Sequence, residues 1–303
     1  MKAFKVGALI LLGLVVLLAV IMIVLLSAKN TENPVEKEIV VVSGMGRADV
    51  AKLLSAEGLI KSQFAFFLYT KMIQANILPG TYDVSTASSA SVIADDLASA
   101  RFKTAKITII EGWRATDIEQ YLVKEKKLEQ FIGFTLSADA YEGYLFPDTY
   151  EIKIEATINE VIELMRDNFD RRVEDLAIDE DLVILASIVE REARSDSDRT
   201  AIAKVYLNRL EIGMNLEADA TVQYAKGNWR VISIDDYQSV ISKYNTYLNS
   251  GLPPGPISNP GLASLKAVLT PDEHEYFYYF HAKGQTFFSQ TFSEHQAKVR
   301  QYF

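Results

Sequence analysis

Residues 182–193 read Leu-Val-Ile-Leu-Ala-Ser-Ile-Val-Glu-Arg-Glu-Ala, and Glu190 is the side chain best placed to do chemistry. The run before it is apolar except for Ser187. A helix apolar on nearly every face is usually buried, and a carboxyl on it is desolvated. Desolvation disfavours the charged form, and a carboxyl that holds its proton is what a general acid needs. A plainer reading also fits: Glu190 begins the polar end of the helix and pairs with Arg194 at i+4. Glu192, two residues on, points to another helix face and is expected to support or pair rather than react.

A second segment, Glu142-Gly-Tyr-Leu-Phe-Pro-Asp-Thr-Tyr150, joins two carboxylates to three rings. Rings stack on the apolar faces of pyranoses while acids and amides bond their hydroxyls, so Glu142, Asp148 and Tyr150 suit a sugar groove. A buried aromatic turn fixed by Pro147, with Asp148 bonding the backbone, fits equally. Asn245-Thr-Tyr247 offers a similar amide and ring. Other chemistries are hard to build. The chain has no cysteine, which excludes disulfides, thiolate metal sites and cysteine nucleophiles. His274, His281 and His295 lack zinc spacing, and there is no nucleophile elbow, phosphate loop or dinucleotide fingerprint. An enzyme here is expected to use carboxylates, amides and hydroxyls, with no metal and no cofactor.

The elements that must position these groups are of α+β type. Val6 to Ala28 carries no charge and is apolar at nearly every position. A span needs about 20 such residues, whereas a signal-peptide core runs about 7–15. The expected layout is a cytoplasmic tail over 1–5, a transmembrane anchor over 6–28, a linker over 29–38, a small subdomain over 39–100 and a larger α+β domain over 101–303, outside the cytoplasm. The acidic balance, 31 Lys+Arg against 40 Asp+Glu, argues against a nucleic-acid partner. Strand, turn and helix patterns follow one another over 39–100. Val41-Val-Ser-Gly44 through Asp49 recurs, without gaps, as Ile109-Ile-Glu-Gly112 through Asp117; duplication and chance both account for it. Further on, helices are expected over 158–173, 200–212 and 264–269. Asp179 caps the Glu190 helix, residues 251–261 form a Pro/Gly-rich shaped loop, and Tyr276–Phe280 and Thr286–Ser289 form two strands turning at Gly284.

Taken in order, Glu111-Gly-Trp, Glu142-Gly-Tyr-Leu-Phe-Pro-Asp-Thr-Tyr, Ala186-Ser-Ile-Val-Glu-Arg-Glu, Asn208-Arg-Leu with Gly213-Met, Asp219 with Thr221-Val and Tyr224, Tyr244-Asn-Thr-Tyr, Gly251-Leu-Pro-Pro-Gly-Pro-Ile and Asn259-Pro-Gly are specific as a set. The chain resembles the YceG-like family of membrane-anchored endolytic murein transglycosylases over nearly its whole length. One loop departs from the family: Glu217-Ala-Asp-Ala220-Thr stands where Gln-Ser-Asp-Pro-Thr or a close variant is usual. The resemblance implies a lytic transglycosylase. It would cut the β-1,4 bond between N-acetylmuramic acid and N-acetylglucosamine in nascent peptidoglycan strands, leave 1,6-anhydromuramoyl ends, and associate with peptidoglycan synthases, the penicillin-binding proteins. It puts Glu190 on the catalytic glutamate and a LysM-like subdomain at 39–100. Glu142, Asp148, Tyr150, Glu192, Asn208, Asp219, Thr221, Asn245 and Tyr247 are the expected substrate-binding residues. Two alternatives stand beside it: a hydrolysing muramidase with a second carboxylate, Glu142 or Asp148, and a non-catalytic murein-binding scaffold.

Overall fold

The computed structural model describes residues 2–99 and 101–303; Met1, in the expected tail, and Ala100, at the end of the expected subdomain, lie outside the described residues. The chain divides into two compact units, residues 1–105 with 151–155, and residues 106–150 with 156–303.

The first unit opens with α1 (Lys2–Leu26). The helix starts earlier than the expected span and ends sooner, where the Ser27 hydroxyl turns back onto the Val24 carbonyl at 2.9 Å. Its apolar side chains from Leu9 to Ile21 are exposed. Next come β1 (Glu36–Val41), α2 (Arg47–Ala56), α3 (Gln63–Met72), β2 (Gly80–Ser85) and α4 (Ala90–Ala98). β1 and β2 pair antiparallel with Ile39 opposite Tyr82. Alternation sends Ile39, Val41, Tyr82 and Val84 inward onto Val50, Leu54, Phe66, Ile93 and Leu97. The sequence reading had no helix at α3. Its run Gln-Phe-Ala-Phe-Phe-Leu-Tyr-Thr has no polar face to mark a period, yet the Ser62 hydroxyl caps it by accepting the Ala65 N–H.

β3 (Thr104–Thr108) carries the chain into the second unit, where α5 (Ala115–Gln120) follows. The Asp49 and Asp117 carboxylates, matched in the sequence repeat, do the same work: each accepts the backbone N–H three residues back, from Gly46 and Arg114. Then come α6 (Phe134–Ala138), β4 (Thr149–Lys153), which pairs with β3, α7 (Ile158–Val173), α8 (Glu180–Glu192), α9 (Asp196–Glu211), α10 (Asp219–Ala225), α11 (Asp236–Ser239) and α12 (Leu262–Leu269). The hairpin β5 (Tyr278–Ala282) and β6 (Gln285–Ser289) precedes α13 (Phe292–Tyr302). Lys283 and Gly284 both have positive φ between Ala282 and Gln285, the two-residue turn that suits strand twist. α9 begins four residues before its expected start because the Ser195 hydroxyl caps it.

α8 is the middle of this unit. Val183, Leu185, Ile188 and Val189 pack against Ile202, Ala203 and Tyr206 of α9 and Leu265 and Val268 of α12. Ser187, the one polar residue in the apolar run, is fully buried and holds the Pro/Gly-rich loop. Its hydroxyl accepts the Ile257 N–H at 3.0 Å, and its carbonyl accepts the Ser258 hydroxyl at 3.1 Å. A buried hydroxyl with partners is no liability, and here it fixes the loop against the helix that carries Glu190.

Candidate active site

Glu190 sits in the last turn of α8 with its side chain only 6% exposed. One carboxylate oxygen accepts the Gly261 N–H at 3.0 Å, at the N-terminus of α12. The other is 3.3 Å from the Arg199 guanidinium of α9. Arg199 is itself held by the Ser264 hydroxyl and by Asp196. The expected alternative partner, Arg194, is not the partner found. α8 ends at Glu192 and Ala193 turns to extended backbone with ψ 138, so the i+4 relation no longer applies. Arg199 comes from the next helix instead.

The sequence reading gave no separate role to Glu111. A Cβ added to Gly261 would overlap its carboxyl group, so Glu111 lies against the glycine whose N–H serves Glu190. Desolvation first, and then the negative charge of Glu190, push the Glu111 carboxyl above its ordinary value. Gly112 lies beside both Glu190 and Arg191: a Cβ there would stand 3.5 Å from Glu190 Cγ and 3.1 Å from Arg191 Nη1.

Asn259 ties three of the recognised segments together. Its Oδ1 accepts the Gly143 and Leu145 N–H groups at 2.8 and 2.9 Å; its Nδ2 donates to the Trp113 carbonyl and to Glu142 Oε1 at 2.9 and 2.8 Å. Every hydrogen-bonding position of this buried amide is used. Glu142 also accepts the Ala115 N–H. Burial outweighs that bond and raises its carboxyl to about 7. Glu142 is thus placed beneath the surface as a strut.

Tyr150 and Phe146 are buried too, so the buried aromatic turn describes where these rings sit. The Tyr150 hydroxyl donates to the Phe146 carbonyl at 2.5 Å, and burial pushes that phenol to about 12. Asp148 accepts the Thr149 N–H and pairs with Asn168 and Arg172 of α7. Those donors hold its carboxyl below the usual range, against the opposing pull of desolvation. None of these contacts reaches Glu190.

The remaining expected residues form a second network around α10. Glu192, pushed up by burial, accepts the Tyr279 hydroxyl at 2.9 Å and the Ala220 N–H at 3.3 Å; Tyr279 bonds Tyr206 at 2.7 Å. Asp219 accepts the Tyr247 hydroxyl at 2.6 Å, and that ring stacks on Tyr237 with centroids 4.1 Å apart. Thr221, fully buried, bonds Thr246 at 2.9 Å. Buried Asn245 donates to the Tyr237 and Val240 carbonyls, and Asn208 to those of His274 and Tyr276. The unusual loop has a local explanation. Glu217 pairs with Arg209 at 3.3 Å, and Ala220 supplies an N–H that proline lacks. Among the described residues no cluster of His, Asp and Glu has a metal-holding arrangement.

A glutamate with a sheltered side chain sits in the last turn of a central helix, fixed by a guanidinium and a helix N-terminus beside Glu111, Gly112 and Gly261 of the motif set, and the YceG-like family model spans residues 39–301. The chain belongs to the YceG-like family. It is 31% identical to a Bacillus subtilis protein named endolytic murein transglycosylase, over 91% of this chain and 89% of that one. A Streptococcus pneumoniae protein of the same name is 30% identical over 66% of this chain; the match spans 39% of that longer relative. A crystal structure titled as a yceG-like protein from Listeria monocytogenes superposes with TM-score 0.54 at 27% identity, covering 88% of this chain and all of that one. In this YceG-like chain, Glu111 and Arg199 are the neighbours of Glu190 in the candidate site that sequence reasoning passed over. The motif Glu111-Gly-Trp carried the only signal for the first, and nothing in the spacing marked the second.

Proposed function

We propose that this chain is an endolytic murein transglycosylase that cuts the MurNAc-β-1,4-GlcNAc bond and leaves 1,6-anhydromuramoyl ends, with Glu190 as acid and then base. The observation that carries the reading is the sheltered Glu190 carboxyl with two fixed donors, Gly261 N–H and Arg199. Protonated Glu190 gives its proton to the glycosidic oxygen as the bond to C1 breaks. The carboxylate so formed meets the Gly261 N–H and the Arg199 guanidinium, which need not reorganise to receive it. It then takes the proton of the muramoyl C6 hydroxyl as that oxygen bonds C1. No water is consumed, so one carboxyl suffices where hydrolysis usually needs two.

α1 is proposed to anchor the chain in the membrane as a single pass, with the N-terminus cytoplasmic and the rest outside. Residues 29–38 would act as a linker, 39–100 as a LysM-like subdomain and 101–303 as the catalytic domain. The strand–helix–helix–strand order of the first unit supports the LysM-like reading. Peptidoglycan strands are the proposed substrate, and peptidoglycan synthases the proposed partners.

One observation favours a second reading. Glu142 and Asp148 are both engaged elsewhere, but Glu111 lies beside the Glu190 site. A hydrolysing muramidase could use Glu111 to activate water. Mass spectrometry of products from purified glycan strands separates the readings. Anhydro ends support the transglycosylase, reducing ends the hydrolase, and intact strands a scaffold without activity.

A further inference from the structure

The middle of α3 is apolar on every side, yet only one side is covered. Phe64 to Tyr69 run without a charged or amide side chain. A helix of that kind is usually buried all round. Here Ala65, Phe66 and Thr70 are buried in the first unit, whereas Phe64, Leu68 and Met72 are 68, 40 and 71% exposed. Their spacing of four puts them in a row on one face of the helix. Phe64 also rims a depression of about 320 Å³, with Ala48, Gln63 and Phe67. Single apolar side chains on a surface need no explanation, but an aligned row does.

The place where α1 ends points to what covers this row. Leu26, the last residue of α1, packs against the core of the first unit. The Lys61 ammonium, one residue before the cap of α3, donates to the Ser27 hydroxyl at 2.7 Å, just past the end of α1. α3 therefore starts within reach of one side chain from the foot of α1. The residues after α1 are tied down as well. The Asn30 N–H donates to the Thr86 carbonyl at 2.9 Å, and the Val35 N–H to the Thr86 hydroxyl at 2.8 Å. The first unit is thus fastened at the foot of α1. With the apolar stretch Leu9–Leu26 across a bilayer, that foot lies at headgroup level.

The charges agree. From Lys61 to Gln74 the chain has two lysines and no acid, in a protein of net charge −9. Lys71 is exposed at the edge of the apolar row and has no ion-pair partner among the described residues; Lys29, just past α1, is exposed too. Lysines beside a span are drawn to anionic lipid. An apolar face edged by lysine is the pattern of a helix that lies in a bilayer interface.

We propose that α3 is a second membrane contact, with Phe64, Leu68 and Met72 sunk into the headgroup–acyl boundary of the leaflet where α1 ends, and Lys71 against lipid phosphates. The proposal rests on the reading of α1 as a membrane anchor. It makes the first unit lie flush on the bilayer instead of hanging from one helix.

The chain has no cysteine, so one introduced cysteine takes one label. Full-length chains with Phe64→Cys, Leu68→Cys, Val40→Cys or Leu17→Cys carry an environment-sensitive fluorophore in phosphatidylcholine–phosphatidylglycerol vesicles, with and without nitroxide-bearing acyl chains that quench labels in contact with them. Val40 is also apolar and exposed, but it points away from the core of the first unit, between buried Ile39 and Val41 of β1. Leu17 lies midway along α1. Labels at 64 and 68 should emit to the blue of the label at 40 and be quenched severalfold more, approaching the label at 17, even at one chain per vesicle. Either of the two α3 positions is decisive if the other variant fails to fold. Quenching at 17 without quenching on α3 overturns the docking and leaves the anchor standing. Equal quenching at 40 and 68 overturns it too, because the apolar row would then select nothing. A blue shift on α3 without lipid quenching, or one lost at one chain per vesicle, would assign the face to another protein or a second copy and overturn the proposal. Absence of quenching at 17 would remove the anchor, and the proposal with it.

Discussion

Glu111 and Glu190 meet at a single glycine: the Gly261 N–H donates to Glu190 at 3.0 Å, while the Glu111 carboxyl fills the space a Gly261 side chain would need. Gly261 has φ −76 and ψ 167, which any residue adopts, so glycine is required there for room and not for conformation. Gly261→Ala should therefore push the flexible end of Glu111 aside at small cost, with stability changed by less than about 1 kcal/mol. Activity should fall about tenfold or more, and Glu111→Ala added to that variant should cost little further, because coupled sites are not additive. Independent, multiplying losses in the double variant would show that the two positions do not act together.

Glu190→Gln should lower anhydromuropeptide formation by about 10²–10⁴-fold, the usual contribution of an acid–base group. From the sequence, a desolvated carboxyl predicts unchanged or slightly improved stability in this variant, and an ion pair with Arg194 predicts a loss. The ion pair found, with Arg199, points to a loss. Gln leaves Arg199 with Asp196 and Ser264 only, so a loss of about 1–3 kcal/mol is expected. Thermal unfolding and product assays on the one variant test both halves. Activity above a tenth of wild type would remove Glu190 from the chemistry.

What could be read in the sequence and what could not divide along a physical line. Glu190 stood out because its signal is local: an apolar run ending in an acid. Asp179, predicted to cap that helix, accepts the Leu182 N–H at 2.9 Å, again a matter of neighbours three residues apart. Ser187 was visible as an oddity, but its purpose needs Ile257 and Ser258, far along the chain. Arg199 and Glu111 reach Glu190 only through the packing of α9, α12 and the turn at Gly112, and no periodicity encodes such meetings. α3 failed for the opposite reason. Its polar residues stand only at the ends, and the run Phe64–Tyr69 between them is apolar without a break, which erases the period that marks a helix.

Glu142 should make the protein lose stability as the medium goes from acid to neutral. Its carboxyl is raised by burial to about 7 in the folded chain, from an ordinary 4.5. The folded state then binds more protons than the unfolded state between those values. The contribution is thus fully present below pH 4.5 and lost as pH rises through about 7. The size is about 3 kcal/mol from the shift alone. Glu111 and Glu192 are raised too and share the sign, so the informative quantity is a difference. Glu142→Gln cannot titrate, and its stability profile should be flatter than wild type across pH 4.5 to 7. Parallel profiles would mean that Glu142 ionises in the fold as freely as outside it.

Ala220→Pro tests whether the unusual loop is tuned to Glu192. Position 220 lies in the first turn of α10, where a missing N–H is tolerated and the proline ring suits the backbone. The substitution removes the 3.3 Å donor to Glu192 but leaves the Tyr279 hydroxyl at 2.9 Å. A lost bond costs about 1 kcal/mol, and a stiffer unfolded chain returns about 0.4–1 kcal/mol. Wherever Glu192 is protonated, the two effects should nearly cancel. As pH rises, Glu192 must ionise with one donor fewer. Its already raised carboxyl moves further up, and the variant should fall behind wild type. Thermal midpoints followed over a pH series from acid to alkaline give the answer. A gap that widens with pH ties Ala220 to Glu192, whereas a constant gap would show that the bond has no bearing on the charge of Glu192.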